Sequence, residues 1–487
     1  MSFPNLNWIM SELSPKSICP QADRLAEAGL AHRVLLPTDT DYVSRNESYW
    51  SKDARLRPAC IVTPRSADEV ATAVVALVAG GHTFAIRSGG HASSANNIDR
   101  SVTIDLGLMT DLTVDTVSET VRFGPGGRWR DIYAALASYD RIVPGGREGQ
   151  VGVAGLLLGG GKTFLTARRG FACDNVLEYE VVLADGRIVK ANKDEHPDLF
   201  RALKGGSNNF GIVTSFKMAM GENKGIWGGI TVFSKEHIPA AIEATHDFTA
   251  NVAAHPDENL IVLFTKLPSF KETVICTLYV SMTGTERAPA YSKWLALPEI
   301  TTNTKMTTVA ELIAEDNTPG NYHVIWFTST FKNDTRIMAK ASELHDNLVE
   351  ELKTIVPDGN MISQCIFQPL PRLYGEKSAE AGGNMLGLEK QKDDAVLLLA
   401  LVSVPTAEQR AIAYPKVKAW VDAVQKFATS INGAEDWLYL NYANFSQDVL
   451  ASYGAENVDF MKKVAAKYDP EQVFQKLCPG GFKVSAV

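Results

Sequence analysis

The chain is poor in the features that announce a metal centre, a redox dithiol, a membrane span or a nucleic-acid partner. Its six cysteines (Cys19, Cys60, Cys173, Cys276, Cys365, Cys478) are scattered over 487 residues with no CxxC spacing, and its nine histidines form no HxH or HExxH pair. No metal site is therefore expected, and the cysteines read as reduced and mostly buried thiols. No segment reaches the ~18 uninterrupted apolar residues of a membrane helix. The start, MSFPNLNWIMSELSPKSICPQ, lacks the basic-then-apolar pattern of a leader, so a cytoplasmic location is expected. Lys/Arg-rich runs are missing as well, and the net charge is −8, which argues against a polyanion partner. The dinucleotide fingerprint GxGxxG opening a helix is not found.

What is present is an ordinary globular composition, 45% hydrophobic and 21% charged, in a chain too long for one core. Residues ~54–220 carry short strand-like runs and glycine turns. IVTP (61–64), TFAIRSGGH (83–91) and SVTIDL (101–106) read as strands, and YEVVLADGRIV (179–189) as a hairpin around Asp185-Gly186. SADEVATAVVALVAGG (66–81) reads as an amphipathic helix capped by Ser66 and stopped by Gly80-Gly81. Residues 221–430 change to long β-rich runs, 259–267, 273–282, 322–331 and 395–404, alternating with helices over 334–356 and 408–431. That pattern points to a sheet backed by helices. Residues 431–487 are short, aromatic and partly helical.

Three glycine clusters carry the chemistry. IRSGGHASS (86–94) ends a strand in a turn whose successive N–H groups suit an anion, with a histidine at its close. GGREGQVGVAGLLLGGGKTFLTARRGFACDNV (145–176) mixes glycine with Val151, Val153 and Leu156–Leu158, too apolar for a linker and suited to backbone pressed on a flat ligand. KGGSNNFGIVTSF (204–216) again runs from glycine into a strand.

In this order, RSGGH, VGVAG…GGG…GFACDNV and GGSNNFGIV, with YLNY (439–442), SYG (452–454) and YDPEQVF (468–474) near the end, the chain resembles the berberine-bridge-enzyme-like branch of the vanillyl-alcohol-oxidase flavoproteins. The resemblance runs from about Arg55 to Phe474, with the middle matched only in style. It implies an α+β fold: a PCMH-type FAD-binding domain over 1–220, a substrate domain over 221–430 with a largely antiparallel sheet backed by helices, and a C-terminal segment, 431–487, returning to the first domain. It implies FAD joined covalently to His91, with Arg87, Ser88, Gly89, Gly90 and Ser93 cradling the pyrophosphate. Val151, Gly152, Gly155, Gly161, Asp174 and Asn175 would line the ring and adenosine side, and Asn209, Gly211 and Val213 the pyrimidine edge. Tyr442 matches the base of several relatives, with Asn441 and Tyr439 in support. Many relatives carry a second anchor, a cysteine, where this chain has Glu148, so one tether is expected. Val151 holds the position where a small residue admits O2.

The activity implied is oxidation of a small molecule with O2 as acceptor. The aromatic sheet residues Phe264, Tyr279, Trp326, Phe327 and Phe367 favour a hydrophobic substrate. A carbohydrate oxidase and a flavin-dependent cyclase or isomerase without net redox turnover stay open as alternatives.

Overall fold

Ser66 accepts a hydrogen bond from Glu69 N and opens a helix at Ala67–Ala79, whose buried face (Val70, Ala73, Val74, Leu77) shares one core with a small mixed sheet and also meets strands of a second. The computed structural model describes residues 19–93, 96–315 and 320–487; residues 1–18 of the N-terminal stretch read above for a leader lie outside them. The small sheet runs in the order Val34–Leu35, Cys60–Val62, Val102–Asp105, Phe84–Arg87, with the last three strands parallel. A second, wholly antiparallel sheet follows in the order Leu112–Asp115, Thr120–Phe123, Ile212–Ala219, Val176–Val182, Ile188–Asn192. Its hairpin turns at Asp185-Gly186, where Gly186 has φ +84°.

The third sheet has nine strands, all antiparallel. Its path is Glu299–Thr302, Ile226–Ser234, Val274–Ser281, Glu258–Lys266, Ile362–Leu370, Ala395–Val404, His323–Lys332 and Ala434–Glu435, with Lys305–Thr307 paired to Ile226–Ser234. Ala395–Val404 is buried at every position, as a central strand covered on both faces requires. The long helices Thr335–Ile355 and Ala407–Ser430 pack on each other beside it. The fold is thus the expected α+β arrangement, with a mainly antiparallel sheet backed by helices.

Alternation along His323–Lys332 decides what faces what. Phe327 points to the helices and meets Tyr414 at 5.4 Å. Trp326 points the other way, toward His91 at 6.3 Å. The segment after Trp50 is stitched to the same strand: Lys52 N donates to Tyr322 O (2.9 Å), and Asp53 accepts from Val324 N and His323 Nδ1 at 2.8 Å each. At the other end of the chain, Phe84 N donates to Leu477 O (2.7 Å), and Phe474 packs edge-on against Phe84 at 6.2 Å. Asn209 reaches the same segment, donating to Phe482 O and accepting from Val484 N. The last residues are therefore part of the small-sheet lobe.

Candidate active site

Two glycine loops cross at the centre of the molecule. A Cβ on Gly89 would lie 2.5 Å from Gly152 Cα and N, and a Cβ on Gly152 would lie 2.5 Å from Gly89 Cα and N. Only glycine at both positions lets the backbones touch. Arg128 ties the crossing, its guanidinium donating to Gly89 O (2.8 Å) and to Gln150 O. Gly90 follows with φ +68°, and its carbonyl accepts from Trp50 N at 3.1 Å. Ser88 Oγ donates to Pro125 O at 2.5 Å.

His91 emerges from this crossing. Its ring stacks on Trp50 at 4.5 Å with planes 7° apart, and Trp326 stands edge-on. Its Nε2 is buried, makes no hydrogen bond, and lies 3.8 Å from Glu148 Oε2. Burial, with the charge of Arg128, pulls His91 down to about 4, so the imidazole is neutral at neutral pH.

A second cluster faces it across Trp326, which meets the Tyr442 ring at 5.9 Å. The Tyr442 hydroxyl accepts from Arg147 Nη2 (3.1 Å) and Gln368 Nε2 (3.2 Å), while Arg147 Nη2 also donates to Gln368 Oε1 (2.6 Å). Among the described residues no carboxylate pairs with Arg147. Behind Tyr442 lies Tyr439, 4.9 Å away and edge-on. Its oxygen accepts from Gly161 N (3.0 Å), Lys162 N (2.8 Å) and Asn441 Nδ2 (3.1 Å). Burial pushes the Tyr439 phenol up, so Tyr439 is a neutral strut that fixes the glycine-rich turn at 159–161. Lys162 donates to Pro369 O (2.7 Å); burial and then Arg147 hold its ammonium well below the usual lysine range.

Comparison with known proteins gives the family and the fold. Residues 58–192 match the model of the FAD binding domain. The FAD-dependent monooxygenase drtC of Aspergillus calidoustus is 35% identical over 472 residues, covering 95% of this chain and 90% of that protein. The chain belongs to a family of FAD-linked oxidoreductases. Among solved structures, 6-hydroxy-D-nicotine oxidase from Arthrobacter nicotinovorans superposes with a TM-score of 0.75 at 22% identity, covering 91% of this chain and 96% of that one. Glucooligosaccharide oxidase from Acremonium strictum, described as carrying a 6-S-cysteinyl, 8α-N1-histidyl FAD, gives 0.73 at 19% identity, covering 93% and 97%. At those identities the two structures support the fold alone.

The residues fit an FAD group. A neutral imidazole, stacked on Trp50 and edged by Trp326, stands beside two glycines that admit no Cβ, and a Cβ on Gly155 would meet nothing within 4 Å outside its own helix. Of the flavoenzyme residues named from sequence, Ser88, Gly89, Gly90, His91, Val151 and Gly152 share the loop crossing, and Gly161, Asn441 and Tyr442 share the second cluster. Ser93 is half-buried two residues beyond His91.

Others are placed differently. Arg87 is wholly buried and donates to Arg45 O (2.6 Å) and Ser48 Oγ (2.8 Å) while lying over the Tyr49 ring, so its side chain braces the turn from behind. Asp174 accepts from Ser378 Oγ, Asn384 Nδ2 and Phe171 N, and burial raises its carboxyl. Asn175 donates to Arg169 O and Phe171 O. Asn209 holds the C-terminal segment, Gly211 lies under Val181, and Val213 is a buried strand residue. These residues are committed to the protein; what they shape is the wall. Of the sheet aromatics, Phe264 packs with Phe367 at 5.5 Å and Tyr279 with Tyr291 at 5.0 Å, both in the core. Of the five, Trp326 is the one that reaches the site.

Sequence reasoning missed Trp50, Arg128, Arg147 and Gln368. Trp50 and Gln368 carry no local motif. Arg147 and Arg128 stand next to glycines, in GGR both times, which is the one signal that could have flagged them.

Proposed function

We propose that this enzyme holds FAD through a single covalent bond to His91 and oxidises a small, hydrophobic organic molecule, with O2 as the final acceptor. The observation that carries the reading is His91 itself: a neutral, stacked imidazole set where two loops touch through glycines. The histidyl linkage described for the glucooligosaccharide oxidase supports it. When bound, FAD supplies a hydride acceptor at N5 and passes the electrons to O2.

The chain supplies the rest. Ser88, Gly89, Gly90 and Ser93 offer backbone groups to a diphosphate; Val151, Gly152, Gly155 and Gly161 offer a flat apolar bed; and Arg87, Asp174, Asn175, Asn209, Gly211 and Val213 hold the walls. The described residues of 1–220 with 431–487 form the cofactor lobe, and those of 221–430 the substrate lobe. Tyr442, with two donors on its oxygen, is the group that takes a proton from a substrate O–H or N–H, and Asn441 and Tyr439 keep it in place. Trp326 and the Tyr442 ring form an apolar wall that orients a planar substrate and excludes water. Val151 leaves room for O2. Glu148 stands where a second anchor would be, so the attachment is single.

The test is direct. Acid-precipitated wild-type protein should keep its yellow colour, and His91→Ala should release FAD on denaturation. A screen of aromatic and alkaloid-like compounds should then find one that bleaches the flavin without oxygen. A colourless wild-type pellet would disprove the covalent claim. The monooxygenase name of the Aspergillus relative favours a second reading, insertion of an oxygen atom; less than one H2O2 per substrate consumed would select it.

A further inference from the structure

Glu148 stands on the loop that crosses the His91 turn, and the two side chains face each other. Glu148 Oε2 lies 3.8 Å from His91 Nε2, with each side chain 17% exposed. The imidazole is not free to turn away, because Trp50 stacks on one face and Trp326 closes an edge. Arg128, which ties the crossing, donates to backbone carbonyls of both loops.

We propose that Glu148 is a positioning residue for His91: it holds the proton on Nε2, so that Nδ1 carries the lone pair that bonds the flavin. The inference rests on the His91 attachment proposed above. A neutral imidazole has one N–H and one lone pair, and what faces one nitrogen decides where the proton sits. A carboxylate oxygen without a proton of its own can only accept, so it favours the Nε2–H tautomer.

The same carboxylate serves the bond-forming step. Attachment breaks one C–H bond of the flavin 8-methyl group and forms one C–N bond from Nδ1. The two electrons of the C–H bond pass to the isoalloxazine, and O2 removes them, with the methyl and Nε2 protons, as H2O2. As the C–N bond forms, the imidazole gains positive charge until the Nε2 proton leaves. A carboxylate 3.8 Å away stabilises that charge and accepts the proton. A chain with glutamate in place of a second cysteine thus gives up one tether and gains a group that promotes the other.

The experiment follows attachment, not turnover. Soluble wild type, E148Q, E148D and H91A holoproteins are held in air, and the ratio of acid-precipitable to total bound FAD is measured over time. That ratio is insensitive to how much protein folds. Expected are full attachment in wild type, bound but unattached FAD in H91A, attachment slowed by about 10²-fold in E148Q, and substantial recovery in E148D. Attachment in E148Q at the wild-type rate overturns the inference, as does E148D behaving like E148Q. An E148Q protein that purifies without FAD also overturns it, since Glu148 would then support binding. Wild type with all of its FAD released by acid removes the His91 reading, and the inference with it.

Discussion

Removing one oxygen atom from Tyr442 tests the chemistry most sharply. The hydroxyl accepts from Arg147 Nη2 and Gln368 Nε2 at 3.1 and 3.2 Å. Two donors on one hydroxyl oxygen prepare it to carry negative charge. Tyr442→Phe keeps the ring packing against Trp326 and Tyr439 but removes the proton acceptor, which typically costs ~10²–10⁴-fold in rate. Stability should suffer little, because Arg147 and Gln368 still satisfy each other at 2.6 Å. Arg147→Met removes one hydrogen bond from a charged guanidinium to that oxygen, a loss of ~1.5–3 kcal/mol. At ~1.4 kcal/mol per tenfold, that is roughly 10–10²-fold in rate. The assay is anaerobic stopped-flow reduction of the flavin, with flavin content and reoxidation in air as controls. If Arg147 acts through Tyr442, the double variant should be no slower than Tyr442→Phe alone. Near-normal reduction in Tyr442→Phe would refute the assignment, and loss of FAD from it would make the hydroxyl a support for the site.

Four further outcomes are expected. Val151→Leu should slow reoxidation of the reduced enzyme by O2 and leave its reduction by substrate unchanged; sluggish reoxidation of wild type would remove the O2 role of Val151. Mass spectrometry of a digest should find flavin only on the peptide containing residues 88–100, and a flavin on a cysteinyl peptide would show the Glu148 alignment to be wrong. Gly152→Ala forces a Cβ into backbone 2.5 Å away and should cost ~1–3 kcal/mol of stability. Gly155→Ala meets no protein atom within 4 Å, so it should lower FAD content without destabilising the apoprotein; equal effects at both sites would contradict the bed assigned to Gly155. His345 is wholly buried with Nε2 2.9 Å from Ser363 Oγ, and burial pulls it down to about 3. The unfolded chain takes a proton there below ~6.5 while the folded chain stays neutral, so stability should fall by up to ~1.4 kcal/mol per pH unit from ~6.5 toward 3. His345→Gln should flatten that slope in denaturant titrations at pH 7 and pH 5, and an unchanged slope would count against the linkage.

Local signals were readable where local physics decides. The Ser66 cap, the Gly80 stop and the Asp185-Gly186 turn are set by a few neighbouring residues, and the observed helix and hairpin lie where those residues put them. Ala395–Val404 declared itself as an apolar run broken only by Ser403. Two central strands of the same sheet did not. Ile226–Ser234 is interrupted by Gly228-Gly229, and Ile362–Leu370 carries Ser363, Gln364, Gln368 and Pro369. Propensity and alternation fail there because cross-strand partners on both sides override them. Gln368, one of those unpromising residues, turns out to hold Tyr442.

The site itself divides along the same line. Glycine motifs are legible because a close approach needs glycine whatever lies opposite, so Gly89 and Gly152 could each be named before it was known that they meet. Charged side chains offer no such constraint. Arg87 and Arg128 both stand near glycine, yet one is buried behind the turn over Tyr49 and the other binds the two loops together. Their division of labour follows from which carbonyls the folded chain leaves within reach, Arg45 O for one and Gly89 O for the other. Those carbonyls arrive through contacts 42 and 39 residues apart. The motif therefore locates the site, while long-range hydrogen bonding assigns the roles within it. For that reason Glu148, which looks from sequence like a lost anchor, becomes intelligible only when its carboxylate is seen facing His91.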